Sequence, residues 1–274
     1  MGKYSGKILL SDLDGTLLNS ENKVSEENKK AIGTFVEEGG KFGIATGRSL
    51  TNAAAFLEGV RINGYCILAN GGQLYDYDKK VYLEEFGVPR GEIMPFLKRC
   101  IDERPRIGVQ VYAKDMSYIV SREEYADPCV VKDHLPVIFD SLENVMEMEW
   151  IKILFSGNED ELSWLKKESS YLEERASVDR VRSAINYYEF LPVRINKGSM
   201  LVKLRQYIND TDVIYAVGDY YNDIDMLAQA DVGIVTENAP DAVKEHADRI
   251  CADYNNSAIA DVIAHMIACA PHVL

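Results

Sequence analysis

The stretch Lys7–Leu18, KILLSDLDGTLL, constrains the fold more than any other part of the chain. Ile8, Leu9 and Leu10 form a short, non-alternating apolar run that ends in an Asp-Gly turn. Such a run reads as a strand buried on both faces, the kind found in parallel sheets flanked by helices. Asp12 and Asp14 follow at its carboxyl end, where open α/β sheets bind ligands. Two carboxylates beside a buried strand end repel each other unless a cation or a shared proton lies between them. An isolated Asp-x-Asp-Gly also occurs in ordinary turns. An EF-hand loop fails on register, because Leu17 stands where Gly is needed and Lys23 where the bidentate Glu is needed. The rest of the chain decides between these readings.

The first eighty residues repeat a strand–helix rhythm. Ser25 is placed to cap a helix with Ile32, Phe35 and Val36 inward, ending at Gly39-Gly40. Lys41–Ala45 is a second strand ending in Thr46-Gly47-Arg48-Ser49, and Tyr65–Ala69 a third, ending in Asn70-Gly71-Gly72. Gln73–Tyr77 and Val81–Phe86 read as a hairpin. This βαβαβ order predicts a doubly wound parallel sheet. Residues 87–190 lose the rhythm. Their mixed strands, two or three helices and Pro-broken segment (Pro128, Pro136) predict an inserted α+β domain. The rhythm resumes at Val193, with a helix opening at Lys197-Gly198-Ser199 and a buried strand Val213–Val217. That strand ends in Gly218-Asp219-Tyr220-Tyr221-Asn222-Asp223. Further elements are Val232–Val235, a helix from Pro240, and a last helix over Ser257–Ile267. The expected organisation is a discontinuous core, 1–86 and 191–274, interrupted by the insertion 87–190.

Composition narrows the partners. The 274 residues carry a net charge of −14, which argues against nucleic acid or an anionic membrane surface as a partner. No apolar run approaches membrane-span length, and the N-terminus lacks a signal-peptide core. Five scattered cysteines without a C-x-x-C indicate neither a zinc site nor a disulfide framework, so reduced cysteines in a cytoplasmic protein are expected. No G-x-G-x-x-G follows a strand and no G-x-x-x-x-G-K-[ST] occurs, leaving dinucleotide and P-loop readings without support. A small anionic substrate stays open, because one Lys and a divalent cation reverse the sign locally.

Parallel strands of one sheet place Asp12/Asp14, Thr46/Gly47 and Asp219/Asn222/Asp223 along one edge, with Lys197 starting a helix beside them. Carboxylates, a hydroxyl, an amide and one ammonium suit Mg²⁺ and a phosphoryl group. Mg²⁺ takes few carboxylates and keeps several waters. Asp12 and Asp219 can supply carboxylates, the backbone carbonyl of Asp14 a third oxygen, and Asp223 can hold a metal-bound water. Thr46, the Gly47 N–H and Asn222 can orient the phosphate while Lys197 neutralises it. Asp12 can attack phosphorus to form an aspartyl-phosphate. Asp14 can protonate the leaving oxygen and then deprotonate water.

These residues resemble the four signature motifs of the haloacid dehalogenase superfamily of phosphohydrolases. Asp12-Leu13-Asp14-Gly15-Thr16 matches the first, Thr46 the second, Lys197 the third, and Gly218-Asp219-x-x-Asn222-Asp223 the fourth. The insertion between the second and third, with Asn196-Lys197-Gly198 and Asn238-Ala239-Pro240-Asp241-Ala242-Val243-Lys244, is similar to the Cof-type members. Tyr254–Ile259 departs from them, where relatives often carry an acidic-Gly pair. The resemblance implies Mg²⁺-dependent hydrolysis of small phosphate monoesters, often sugar phosphates, with Asp12 as nucleophile, Asp14 as acid/base and Asp219 as metal ligand. A phosphosugar mutase of the same superfamily is the alternative, and a phosphoacceptor receiver module a more distant one. Selectivity is expected to reside in the insertion, acting as a lid hinged near Phe86–Pro89 and Leu191–Val193. Lys152, Arg180, Arg182, Tyr187 and Tyr188 are its candidate substrate contacts, each weighed against a surface-charge or packing role, and Arg48, outside the insertion, is weighed between a substrate contact and a salt bridge.

Overall fold

The computed structural model describes residues 2–175 and 177–266. Two compact units make up the chain: Met1–Gly47, Phe56–Leu83 and Asn196–Leu274 form one, Arg48–Ala55 and Glu84–Ile195 the other.

The first unit is built on strands β1 (Lys7–Ser11) and β2 (Lys41–Ile44). Near them in the chain lie β3 (Tyr65–Leu68), β4 (Gln73–Asp76) and β5 (Val81–Glu85), the last ending just beyond this unit. The second unit carries β6 (Gly108–Ala113), β7 (Met116–Ile119), β8 (Ile138–Phe139), β9 (Lys152–Ser156), β10 (Asp179–Ala184) and β11 (Tyr187–Leu191). The chain returns to the first unit with β12 (Val213–Gly218), β13 (Val232–Thr236) and β14 (Arg249–Cys251).

The main sheet has the order β14-β13-β12-β1-β2, all parallel. β1 lies inside the sheet between β12 and β2, which is why its middle is apolar: Leu9 and Leu10 are fully buried. Truncating such a leucine to Ala costs about 2–5 kcal/mol. Helix Glu26–Glu37 packs on Ala258–His265, and Lys197–Leu204 packs on Ile224–Gln229. Ser25 does cap the first of these, its Oγ accepting from the Asn28 N–H. The third strand keeps the expected parallel direction but does not join the main ladder. β3 belongs to a separate sheet, β3-β4-β5, yet it lies beside β2 in parallel, joined by a bridge between Ala45 and Ile67 and by the Gly64 N–H donating to the Phe42 carbonyl. The turn at 69–71 reverses the chain tightly, so β4 pairs antiparallel with β3. The last helix ends at His265, and Ile267 and Cys269 lie outside the described residues.

The second unit is an α+β layer with the order β10-β11-β9-β6-β7-β8, antiparallel except for the β7–β8 pair. Alternation along the strands sends Val109, Val111, Ile153, Phe155, Tyr188 and Phe190 to one core. Helix Arg90–Glu103 covers that core with Ile93, Phe96, Leu97 and Cys100. Residues of the opposite parity on the middle strands, including Gln110, Tyr112, Lys152 and Glu189, are also buried, which makes the middle of the other sheet face polar but not wet. The Pro-broken segment contains a short helix, Pro128–Lys132, whose first turn is closed by Asp127 accepting from the Cys129 N–H. Trp150 lies just before β9, its indole N–H donating to the Val145 carbonyl.

Candidate active site

Register brings the polar strand ends of the first unit together. Ser11 pairs with Val217 on one side and Ile44 on the other. Both ladders run one residue further, the Asp12 N–H donating to the Val217 carbonyl at 2.8 Å and the Ala45 N–H to the Ser11 carbonyl at 2.8 Å. Asp12, Thr46 and the turn at Asp219 therefore leave the same sheet edge. The chain after β1 folds sharply: the Leu13 carbonyl accepts from the N–H groups of Thr16, Leu17 and Leu18. Gly15 sits at φ 79°, and a Cβ there would lie 2.4 Å from Asp219 Oδ2, so only glycine lets the two segments approach. Asp14, by contrast, is exposed.

Lys197 is the centre of the cluster. Its side chain is fully buried, and Nζ donates to Asp12 Oδ1 at 2.6 Å and to Asp223 Oδ1 at 2.7 Å. Lys197 opens the helix Lys197–Leu204, where a cation opposes the helix dipole. Its place is explained by the carboxylates it meets. The helix start is secured instead by Asn196, whose Oδ1 accepts from the Ser199 N–H while Ser199 Oγ accepts from the Asn196 N–H. Asp223 is buried, and its Oδ2 accepts from the N–H groups of Asp219 and Tyr220 at 3.0 and 3.1 Å. A Cβ at Gly218 would collide with that carboxylate at 2.4 Å.

Carboxylate oxygens of Asp12, Asp219 and Asp223 lie within 4.8 Å of one another. Burial pushes the Asp12 carboxyl well above its ordinary range, the nearby acids add to this, and Lys197 pulls against it. Asp219 is pushed up to about 7 by burial and by the Asp223 charge. For Lys197, burial favours the neutral amine, but the charges of Asp12 and Asp223 outweigh it and raise its pKa. Three carboxylates and one ammonium leave a surplus of two negative charges, which a divalent cation would cancel. The donor set, all oxygen and partly buried, fits Mg²⁺.

The phosphate-side residues meet on the same edge. Thr46 is buried, and its N–H donates to the Ile67 carbonyl. Gly47 lies against the side chain of Asn70, and Asn222 Nδ2 donates to Asn70 Oδ1 at 3.1 Å. Three further residues support this edge, two of them by holding Asp219. Thr16 Oγ1 donates to Asp219 Oδ1 at 3.2 Å, and Asn238 Nδ2 donates to the Gly15 carbonyl and to Asp219 Oδ2. Asn70 is the third. All three stand in stretches visible as turns, but only the tertiary contact shows their part.

The candidate contacts of the insertion fall within the second unit. Lys152 is buried and pairs with Glu189 at 2.7 Å, with Nζ 4.4 Å from the centre of the Tyr112 ring. Arg180 pairs with Glu173, Arg182 with Glu159 at 2.7 Å, and Tyr188 packs edge-on to Phe190 in the core. Tyr187 donates to Asp127, whose carboxyl is pushed up by burial and drawn back by that bond and by the Arg48 charge. Gln110 is buried with no hydrogen-bond partner for either amide atom.

Residues 9–263 match the family of haloacid dehalogenase-like hydrolases. The 5-amino-6-(5-phospho-D-ribitylamino)uracil phosphatase YcsE of Bacillus subtilis is 27% identical over 264 residues, covering 95% of this chain and 96% of the relative. The HMP-PP phosphatase of Yersinia enterocolitica is 26% identical over 275 residues, covering 97% of each. Among solved structures, a haloacid dehalogenase-like hydrolase from Bacteroides thetaiotaomicron superposes with a TM-score of 0.83 at 24% identity, over 96% of this chain and all of that one. The family match spans β1 to the last helix and includes every residue of the acidic edge, so the chain belongs to the haloacid dehalogenase-like hydrolases, in their Cof-type branch.

Proposed function

We propose that the protein is a Mg²⁺-dependent phosphohydrolase that cleaves small phosphate monoesters through an aspartyl-phosphate on Asp12. The observation that carries this reading is the buried Lys197 ammonium bridging Asp12 and Asp223 beside Asp219. Lys197 holds Asp12 by Oδ1, leaving Oδ2 to attack phosphorus as the P–O bond to the leaving group breaks. Asp14, exposed two residues on, gives its proton to the departing oxygen. It then takes a proton from the water that attacks the acyl phosphate, which releases inorganic phosphate and restores the Asp12 carboxylate. Thr46 Oγ1, the Gly47 N–H and an Asn222 amide N–H orient the phosphoryl oxygens. Asp12, Asp219 and the Asp14 carbonyl would hold Mg²⁺, which supplies positive charge to the phosphoryl oxygens and to the acids. Asp223, with both oxygens engaged by Lys197 and the 219–220 backbone, fixes the Asp219 turn and can hold a metal-bound water.

Sugar phosphates are the first substrate class. Phosphates linked to a nitrogen heterocycle are the second, because the YcsE relative named above is a phosphatase of a phosphoribitylaminouracil. Selectivity between them resides in the inserted unit, acting as a lid, where a buried polar sheet face carries Lys152, Glu189 and the unpartnered Gln110 amide. The test is phosphate release over a panel of both classes, with Mg²⁺ and with chelator, for the wild type and Asp12→Asn. Release that needs Mg²⁺ and vanishes in the variant is expected. Turnover that survives in Asp12→Asn overturns the nucleophile. Strict dependence on a bisphosphate activator, with no free phosphate formed, points instead to the mutase.

A further inference from the structure

The turn at the end of β3 takes no part in the chemistry above, yet it is the most strained backbone near it. Ala69, Asn70 and Gly71 all have positive φ, at 51°, 56° and 101°. A left-handed residue other than glycine costs roughly 1–2 kcal/mol, and the cost is greater for Ala than for Asn. Such strain persists where the surroundings over-determine it, and it gathers at functional sites.

The surroundings of this turn are the phosphate-side residues themselves. The Asn70 N–H donates to the Thr46 carbonyl at 3.0 Å. The Asn70 side chain is buried against Gly47, so close that a Cβ on Gly47 would lie 3.1 Å from both amide atoms. Its Oδ1 accepts from Asn222 Nδ2. Gly71 lies against the Asn196 carbonyl, where a Cβ would come within 2.2 Å, one residue before Lys197. One three-residue turn thus touches the stretches around Thr46, Lys197 and Asn222, which lie far apart in sequence.

We propose that Asn70 is a positioning residue for phosphate binding, an inference that rests on the phosphatase reading of the same site. Its carbonyl oxygen sets which way the Asn222 amide faces. An amide has one donor end and one acceptor end. With one Nδ2 hydrogen committed to Asn70, the second is presented on the same NH₂ group, and a phosphoryl oxygen meets a donor. Without that acceptor the amide can turn over and present oxygen to an anion. Asn70 simultaneously fixes the Thr46–Gly47 backbone, whose N–H and hydroxyl serve the same anion.

The test separates side chain from backbone. Asn70→Gly keeps the left-handed conformation without cost and removes the amide. It should raise KM and the inhibition constant of inorganic phosphate together by about tenfold, with the unfolding midpoint unchanged. Asn70→Ala should show the same kinetic loss and in addition unfold a few degrees lower, because Ala strains the turn. In an Asn222→Ala background, Asn70→Gly should cost less than a further twofold, since the two residues act through one bond. Unchanged KM and phosphate inhibition in Asn70→Gly, or losses that multiply in the double variant, overturn the proposal. If the wild type hydrolyses no monoester, the phosphatase reading fails separately, and calorimetric titration of wild type and Asn70→Gly with inorganic phosphate still decides the role of Asn70. Equal affinity, or no binding by either, overturns it.

Discussion

Replacing Lys197 with Met tests the electrostatic account of the site most directly. Met keeps the unbranched apolar stem and removes the ammonium. The charge change is large because Nζ is fully buried and contacts Asp12 at 2.6 Å and Asp223 at 2.7 Å. The cluster goes from three carboxylates against one ammonium to three carboxylates alone. Removing one partner of a buried ion pair costs about 3–5 kcal/mol, since the remaining charge keeps its desolvation penalty. For a chain of this size that corresponds to an unfolding midpoint lower by on the order of 10 °C. Urea unfolding with chelator present, at pH 8 and again at pH 5, measures it. The loss should shrink at pH 5. Asp12 and Asp219 have raised pKa values, so protonation removes the uncompensated charge in the folded state more readily than in the unfolded one. Excess Mg²⁺ should restore part of the loss at pH 8 through binding to the folded state. A penalty under about 1 kcal/mol, equal at both pH values, would refute the assignment of Lys197 as the counter-charge of the cluster.

Asp12→Asn should abolish phosphate release, read by a phosphate assay, yet hold or raise the stability of the metal-free protein by roughly 0.5–2 kcal/mol, because a strained functional carboxylate is replaced by a neutral isostere. For Asp219 the linkage has a defined sign. Its folded pKa, about 7, exceeds the ordinary 3.8, so its contribution favours the fold below about 3.8 and is lost as pH rises towards 7. The metal-free Asp219→Asn variant should therefore be more stable than wild type at pH 8, by on the order of 2 kcal/mol, with the difference closing towards pH 4. Parallel chemical-denaturation series would expose a wrong sign at once. Cys66, Cys100 and Cys251, whose thiols burial pushes up to about 12, should resist iodoacetamide in the native protein and label on unfolding, as peptide mass spectrometry would show.

The buried strands were legible because a parallel strand covered on both faces has little choice but to be apolar. Ile8–Leu10 and Val213–Val217 announce themselves, and strand order then dictates which polar ends share an edge. Lys197 was legible for the same reason, as the first residue of a helix following the inserted segment. What was illegible depended on partners distant in sequence. Asn70-Gly71 reads as a turn, and nothing local tells that Asn70 meets Asn222 152 residues later. The hairpin of β4 and β5 was visible in the alternation, but its antiparallel pairing with β3 was hidden likewise, because a short apolar strand pairs as readily antiparallel as parallel. In the inserted unit, β8 is two residues long and exposed, below the length at which periodicity carries information. Lys152 and Glu189 look like solvent-facing charges in an alternating strand. They lie in the middle strands of the sheet, where both faces are buried, and each is tolerated there through its pairing with the other.

Several features of the core unit run against stability, and they fall on one sheet edge. Lys197 stands at the helix end where a cation is disfavoured. Asp12 and Asp223 are buried, and Asp219 is close enough to share their field. Ala69 and Asn70 hold left-handed backbone. Well-packed apolar residues at the buried ion pairs would often stabilise a fold instead. The surrounding structure is built to keep them: Gly15 and Gly218 clear space for the carboxylates, Asn196 and Ser199 secure the helix that Lys197 weakens, and Gly71 lets the strained turn close on Asn196. A set of conflicts with one location and dedicated supports is hard to explain by packing. It is what a site requires if a dication brings the missing positive charge and thereby lets a phosphoryl group approach.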